Sequence, residues 1–257
     1  MPNIARVYDW YLGGTCNNAA DREFGEKVAS TIPSRTMVRD NRAFLRRVVE
    51  HLVKRGIRQF LDIGSGIPTV GNVHEIAAAL DEGVRVVYVD HDPVVVELSK
   101  KLLDGNTSAV AVQGDLLTPA TILEHPEVRE LLDFDQPIGL LLFAILHFVH
   151  DEEQPEAVIS AYCSALSPGS YVAISHTTDE GAADDMQGRM DSATGMYQDR
   201  TSPFINRDRA TLRRWLDGFD VVPPGVTQVV EWNPDGEVPT GPDHRLVIGA
   251  LARIPGE

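Results

Sequence analysis

Residues 60–68 read FLDIGSGIP. Phe60 and Leu61 lead into an acid, Asp62, and then Gly64 and Gly66 stand two apart. An apolar run that stops at glycines reads as a buried strand entering a tight turn, because glycine tolerates backbone angles that other residues avoid. What lies outward of this stretch decides the kind of sheet. RQFLDIG (58–64) precedes a helical pattern over about 70–80, and RVVYVD (85–90) precedes one over 93–104, with Pro93 suited to its first turn. SAVAVQGD (108–115) leads into irregular or helical chain with Pro119 and Pro126, and PIGLLLFAIL (137–146) precedes a helix over about 152–166. SYVAISH (170–176) makes a fifth strand. Nearly continuous apolar strands alternating with helices predict a parallel sheet covered on both faces.

The flanks complete the plan. Short helices over 3–12 and 19–29, separated by Gly13 and Gly14, precede a longer one over about 35–55. Its apolar positions Val38, Phe44, Leu45, Val48, Val49 and Leu52 form a helical stripe, and Gly56 ends it. Residues 177–204 are polar and show no clear strand, the pattern of a lid, a binding segment or a disordered stretch. A helix over about 207–218 and strands over about 226–232 and 244–253 close the chain. One domain is expected, with residues 1–55 as a helical cap and 56–257 as the sheet-bearing part.

Composition narrows the function. The 257 residues carry a formal net charge of −15, which argues against binding nucleic acid through a basic face. Arg35, Arg39, Arg42, Arg46 and Arg47 form the densest basic cluster, and at that spacing they read as a solvated helix face. No run approaches the roughly 18–20 apolar residues of a membrane span. The opening MPNIARVYDW has no secretory layout, and Cys16 and Cys163 make no disulfide framework. A cytoplasmic protein with a small-molecule substrate, binding neither nucleic acid nor membrane, is expected.

In an open parallel sheet, ligands bind beyond the carboxyl ends of the strands. Gly64 and Gly66 fall there. A dinucleotide-binding loop receives a pyrophosphate and typically reads G-x-G-x-x-G. Here the chain reads G-S-G-I-P-T, without the third glycine. Asp62 is a fixed negative charge beside this loop, repelling a pyrophosphate and attracting an ammonium or sulfonium. The second strand ends in Asp90, where an acid accepts hydrogen bonds from ribose hydroxyls. The third ends in Asp115, placed to accept from an exocyclic amine of a base. Amine, ribose and base together describe a positively charged nucleoside.

FLDIGSG, VVYVDHDP, VQGDLL and LLLFAILHFV resemble, in order, the motifs of the class I S-adenosylmethionine-dependent methyltransferases. The resemblance spans about residues 55–176. It implies a Rossmann-like, doubly wound, mostly parallel seven-stranded sheet with an antiparallel last strand. More narrowly, the segments ARVYDWYLGG, ADRE, GNVHE and VDHDPVVV resemble an actinobacterial family of predicted S-adenosyl methyltransferases whose acceptor is unassigned. S-adenosyl-L-methionine is the cofactor so implied. Asp62 and the backbone at Gly64, Ser65 and Gly66 would hold its methionine portion. Asp90 would bind the ribose, with His91 beside the adenine. Asp115 and Leu116 would meet the base edge and face, and Ala144 would lie near the sulfonium. Pro68 stands where many members of the broad class have a third glycine, so the loop is expected to hold the methionine end differently.

Methyl transfer from a sulfonium is an in-line displacement, for which an enzyme mainly supplies proximity and alignment. A base is needed only for a protonated oxygen or nitrogen acceptor. His147, in ILHFVHDEE (145–153), is the candidate base and resembles the histidine of some small-molecule O-methyltransferases. His176 is a second acceptor-side candidate. His147 and His150 stand near Asp151 and Glu152, but these acids more naturally start a helix, so no metal is expected. RVYDWYLGGTCNN concentrates aromatic and amide groups. It is expected to close over the cofactor, with Tyr8 and Tyr11 near the ligand and Arg22 or Arg35 orienting it. Met186, Met190 and Met196 suggest a soft apolar lid or a mobile loop. A methyltransferase is the leading reading. A regulatory protein binding the same nucleoside without turnover is the alternative, and an NAD(P)-dependent oxidoreductase, against which Asp62 argues, is the third.

Overall fold

The structure is a computed structural model that describes residues 2–69, 71–198 and 203–256. Five strands run parallel in the order β3-β2-β1-β4-β5: β1 (Gln59–Ile63), β2 (Arg85–Asp90), β3 (Ala109–Gln113), β4 (Gly139–Phe143) and β5 (Tyr171–Thr177). The chain therefore moves outward from β1 to β3 and returns to lay β4 on the other side of β1. That reversal opens a crevice beyond the carboxyl ends of β1 and β4. The long strand β8 (Val247–Arg253) pairs antiparallel with β5, from Tyr171↔Arg253 to Thr177↔Val247. Two short strands, β6 (Asp220–Val221) and β7 (Thr227–Gln228), pair antiparallel with β8 as well.

Alternation along the strands divides the core. Tyr88, Leu141, Phe143, Ala173 and Leu251 enter one apolar cluster. Val87, Val89, Leu140, Leu142 and Ile174 enter the other. The first cluster is completed by helices α1 (Ile4–Tyr11), α2 (Ala19–Ala29), α3 (Ser34–Lys54), α4 (Val73–Ala78) and α9 (Asp184–Gln198). The second draws on α6 (Pro119–Leu123), α7 (Pro126–Leu131), α8 (Pro155–Ser164) and α10 (Arg209–Trp215). Between β2 and β3 runs α5 (Pro93–Leu102), with Asp92 as its cap and Pro93 in its first turn. The alternating pattern thus becomes a mostly parallel sheet with an antiparallel long strand, as the sequence implies. No helix among the described residues is long and apolar enough to cross a membrane.

Four local readings change. The sheet has eight strands rather than seven, because its edge beside β8 is split into β6 and β7. Pro223 and Pro224 lie between them and have no N–H to give the ladder. The stretch 226–232 is strand only at Thr227–Gln228; Val229–Glu231 turns as a 3-10 helix, its carbonyls at Val229 and Trp232 taken by the Arg47 guanidinium. Likewise Pro242–Arg245 is 3-10, and β8 begins at Val247. The polar segment 177–204 contains α9, which buries only Met186, Met190, Ala193 and Tyr197. One thin stripe in a polar helix is a weak sequence signal. Residues 199–202 of that segment, and Val70 at the expected start of α4, lie outside the described residues.

The arginine cluster is a solvated face only in part: Arg35 and Arg39 are exposed, and the others are not. Arg47 is buried, holding those two carbonyls at 2.9 and 2.7 Å. Arg46 pairs with Glu50 and Asp235.

Helix α3 is anchored through Phe44, fully buried with ring centroids 5.3 Å from Phe143 and 5.5 Å from Trp232. A Cβ on Gly249 of β8 would stand 2.5 Å from the same ring, so the fit is tight from both sides. Replacing Phe44 by Ala should cost about 3–5 kcal/mol of stability, read as a lowered urea midpoint.

Candidate functional site

The turn after β1 is built on two glycines with positive φ, Gly64 at +70° and Gly66 at +64°. A side chain on Gly64 would place its Cβ 2.4 Å from Ile145 Cγ1, so this position also needs the room. The N–H groups of Gly64 and Ser65 both donate to Val89 O, at 2.8 and 3.1 Å. The Asp90 carboxylate accepts from Gly66 N and Asp92 N, each at 3.0 Å. Asp90 therefore shapes the turn from the end of β2.

Helix α1 closes over this turn and is tied at both ends. Near its start, Asn3 donates its side-chain amide to Asp92 and its backbone N–H to Asp21. Near its end, Asp9 accepts from Thr69 Oγ1 and from Asn17 Nδ2. Beneath lies a cavity of about 400 Å³, within the range of about 300–1,000 Å³ usual for small-molecule sites. Asp62, Gly64, Ser65, Gly66, Asp90 and His91 line it, together with Tyr8 of α1 and Asn41 and Arg42 of α3.

Asp62 is buried, 5% exposed, and has no hydrogen-bond partner among the described residues. Burial pushes its carboxyl up to about 7, against the pull of the Arg42 guanidinium and with the push of Asp90. Burial raises Asp90 as well. Arg42 donates to Gly71 O at 3.4 Å, while its Nε is buried without a partner. A cavity that holds an unpaired carboxylate and an incompletely paired guanidinium suits a ligand carrying both an ammonium and a carboxylate.

A second, smaller chamber of about 80 Å³ shares Ile4, Tyr8, Asn41, Ala144 and Phe148 with the first cavity. Ala144 has φ of 52°, a sharp strand exit held by hydrogen bonds from its N–H to Ser175 Oγ and Ser175 O. Such an angle on a non-glycine residue stores strain, which here turns the chain so that His147 faces this chamber. His147 is buried against Phe148 and Phe204, at centroid distances of 4.2 and 4.8 Å, and its Nδ1 has no partner. Burial, then His176 and Arg207, holds its basicity well below the usual imidazole range.

His176 lines the same chamber, but both its nitrogens are engaged. Nδ1 meets Thr177 O at 2.7 Å and Nε2 meets Arg207 Nη1 at 3.1 Å. The arginine is a donor only, so Nε2 accepts and Nδ1 carries the proton. Burial pushes this imidazole down to about 4. Arg207 also donates to Leu146 O, Val149 O and Asp151, clamping the 146–151 turn onto β5.

Of the other residues singled out from sequence, Tyr8 and Ala144 line both spaces and Tyr11 the smaller one. Four lie elsewhere. Asp115 is exposed, and its carboxylate accepts from its neighbour Leu117 N at 2.9 Å. Leu116 is buried in the second core cluster, its carbonyl held by the Tyr162 hydroxyl. The end of β3 is tied to the cavity wall, Gly114 N–H donating to Asp90 O at 3.0 Å, but neither residue lines the cavity. Arg22 is exposed and bonded to Asn17, and Arg35 lies 4.0 Å over the Trp10 ring, so neither lines either space. Met186 and Met190 pack in the core. Among the described residues no group of three or more His, Cys, Asp or Glu is placed to hold a metal ion.

Sequence reasoning missed Asn41, Arg42, Phe148, Thr177, Tyr197 and Phe204. Only Asn41 had a signal: it stands three residues after Val38 and four before Leu45, on the apolar stripe of α3. A polar residue on a buried stripe needs a partner, and Asn41 Nδ2 donates to the Tyr8 hydroxyl at 2.9 Å.

A family model described as S-adenosyl methyltransferase matches residues 1–255. A crystal structure from Thermobifida fusca, provisionally described as a methyltransferase, is 34% identical, with 99% of this chain and 96% of that chain covered and a TM-score of 0.92. A DUF574 family protein from Streptomyces avermitilis is 38% identical over 99% and 98% of the two chains, also with a TM-score of 0.92. The N-methyltransferase NodS of Bradyrhizobium japonicum, in complex with S-adenosyl-L-homocysteine, shares the fold at 12% identity, covering 98% and 100%, with a TM-score of 0.55. A search of the curated proteins finds no match.

The raised Asp62 carboxyl has a stability consequence. A folded-state value of about 7 against 3.8 means that its contribution is full below about pH 4 and is lost as pH rises through 7. The loss is on the order of 3–4 kcal/mol at pH 8. Asp62→Asn should therefore raise the melting temperature of the ligand-free protein at pH 8, by an increment that shrinks toward pH 5 in a thermal scan.

Proposed function

The chain belongs to the S-adenosyl methyltransferase family, and from that premise we propose that it methylates a small molecule held in the aromatic chamber, with the methyl donor in the larger cavity. S-adenosyl-L-methionine supplies a methyl group on a positively charged sulfur. The single observation that carries the assignment of the two spaces is Asp62, a buried carboxylate without a partner on the cavity wall. It suits the ammonium of the donor's amino-acid end, and Arg42, also on the cavity wall, suits the carboxylate of that same end.

The remaining residues divide the work. Gly64 and Gly66 let the backbone approach the donor closely. Asp90 keeps the turn in shape and offers carboxylate lone pairs to the ribose, while the exposed His91 flanks the base. Tyr8 and Ala144 stand where the two spaces meet and restrict the line along which donor and acceptor approach. Helix α1, latched through Asn3 and Asp9, keeps water from this line. His147 is the group on the acceptor side that takes up a proton. His176 positions it, since its own nitrogens are committed to Thr177 and Arg207.

Donor binding requires Asp62 ionised, yet its ligand-free value lies near 7. Affinity for S-adenosyl-L-homocysteine should thus fall as pH drops from 7 to 5.5, approaching tenfold per unit, with protons released on binding at pH 7. Isothermal titration in buffers of different ionisation enthalpy measures both. Asp62→Asn should weaken binding by tenfold or more and remove the pH slope. Arg42→Met should weaken it with the slope retained. Tight uptake of a nicotinamide dinucleotide, with no binding of the sulfonium nucleoside, would overturn the assignment.

A further inference from the structure

The smaller chamber is distinguished by its walls. Among the described residues, none bearing a formal charge lines it. Tyr197 and Phe204 stack with centroids 4.8 Å apart and 12° between their planes. Phe148 lies 5.8 Å from Phe204, and His147 packs against both. Flat rings give a flat ligand broad contact, offset-stacked or edge-on.

Four residues on this chamber also carry buried polar atoms without a partner: Ser34 Oγ, Asn41 Oδ1, His147 Nδ1 and Thr177 Oγ1. A buried polar atom left unpaired is costly. Four beside one space leave it hydrogen-bonding capacity that the protein itself does not use. Size limits the choice further. The chamber of about 80 Å³ is smaller than the cavity of about 150 Å³ that holds one benzene, so a single ring reaching in from the junction fits better than fused rings.

We infer that the methyl acceptor is an uncharged, single-ring hydroxyarene, its ring packed on Phe148, Tyr197 and Phe204 and its hydroxyl hydrogen-bonded to His147. The inference rests on the larger cavity being the donor site. A carboxylate would meet no cation among the lining residues, and an ammonium no carboxylate, so either would be desolvated without compensation. In the reaction the hydroxyl oxygen gains the methyl group, its proton passes to the His147 imidazole, and the electron pair of the broken C–S bond stays on sulfur. One positive charge disappears at sulfur and one appears on the imidazole. Burial keeps His147 unprotonated near neutral pH, as a proton acceptor must be.

The test is binding rather than turnover. Protein saturated with S-adenosyl-L-homocysteine is titrated calorimetrically with catechol, benzoate and benzylamine. Catechol should bind at least tenfold more tightly than the other two. Phe204→Ala and His147→Ala should each weaken catechol by tenfold or more, with homocysteine-nucleoside affinity kept within twofold, which also reports that the variant folds. Should His147→Ala not fold, Phe204→Leu and the probe ranking on the unaltered protein decide. Benzoate or benzylamine binding as tightly as catechol, or no uptake of catechol by the loaded protein, overturns the inference and leaves the donor site standing. Failure of the nucleoside itself to bind overturns the donor site and this inference with it.

Discussion

A carboxylate placed in the core at the end of a central strand is the constraint around which this molecule is arranged. Asp62 is largely desolvated and gains no hydrogen bond from the protein in exchange. In the ligand-free protein it is held partly protonated, a destabilised group within an otherwise well-packed sheet. Folding alone would favour an apolar side chain there, as at its neighbours Leu61 and Ile63. The acid makes sense when a cation replaces the missing solvent. On the assignment proposed above, a charged ligand restores the local stability that burial of the acid removes, a common relation between sites and their scaffolds.

Two spaces with different chemistry meet at Tyr8, Ala144 and Phe148. The larger is edged by acids, backbone and one guanidinium. The smaller is aromatic and bears no formal charge among its described residues. This difference follows from what each borders. The first lies over the glycine turn and the ends of β1 and β2, where polar backbone is exposed. The second is enclosed by helices α1, α3 and α9, whose inward stripes are apolar. A methyltransferase needs such a division, since its donor is charged and its transition state gains from exclusion of water.

Helices α1 and α3 show how remote packing fixes the site. Phe44 sets α3 against Phe143 and Trp232, and the same helix carries Asn41 and Arg42 into the cavity. Asn41 then holds the Tyr8 hydroxyl, so the position of α1 depends on α3. On the far side, Arg207 gathers Leu146, Val149, Asp151 and His176, fixing the turn that carries His147. Tyr8 and the turn carrying His147 thus take their places from side chains distant in sequence.

The sequence by itself determined the alternating parallel sheet, the glycine turn, the identity of the acids ending β1 and β2 and the family of the chain. Each depends on neighbours within a few positions: apolar periodicity, glycine at a positive φ, an acid at a strand end. Only tertiary structure decided which of these residues share a cavity. Asp115 and Leu116 obey the same local rule as Asp62 and Asp90, yet Asp115 turns back to cap Leu117 N–H, Leu116 packs into the second core cluster, and neither lines the cavity. Arg42 sits in a basic run that reads as solvated, and Tyr197 in a segment that reads as loop. Both reach the site because α3 and α9 pack on the sheet at angles set by side chains distant in sequence, and such contacts leave no periodic trace in the chain.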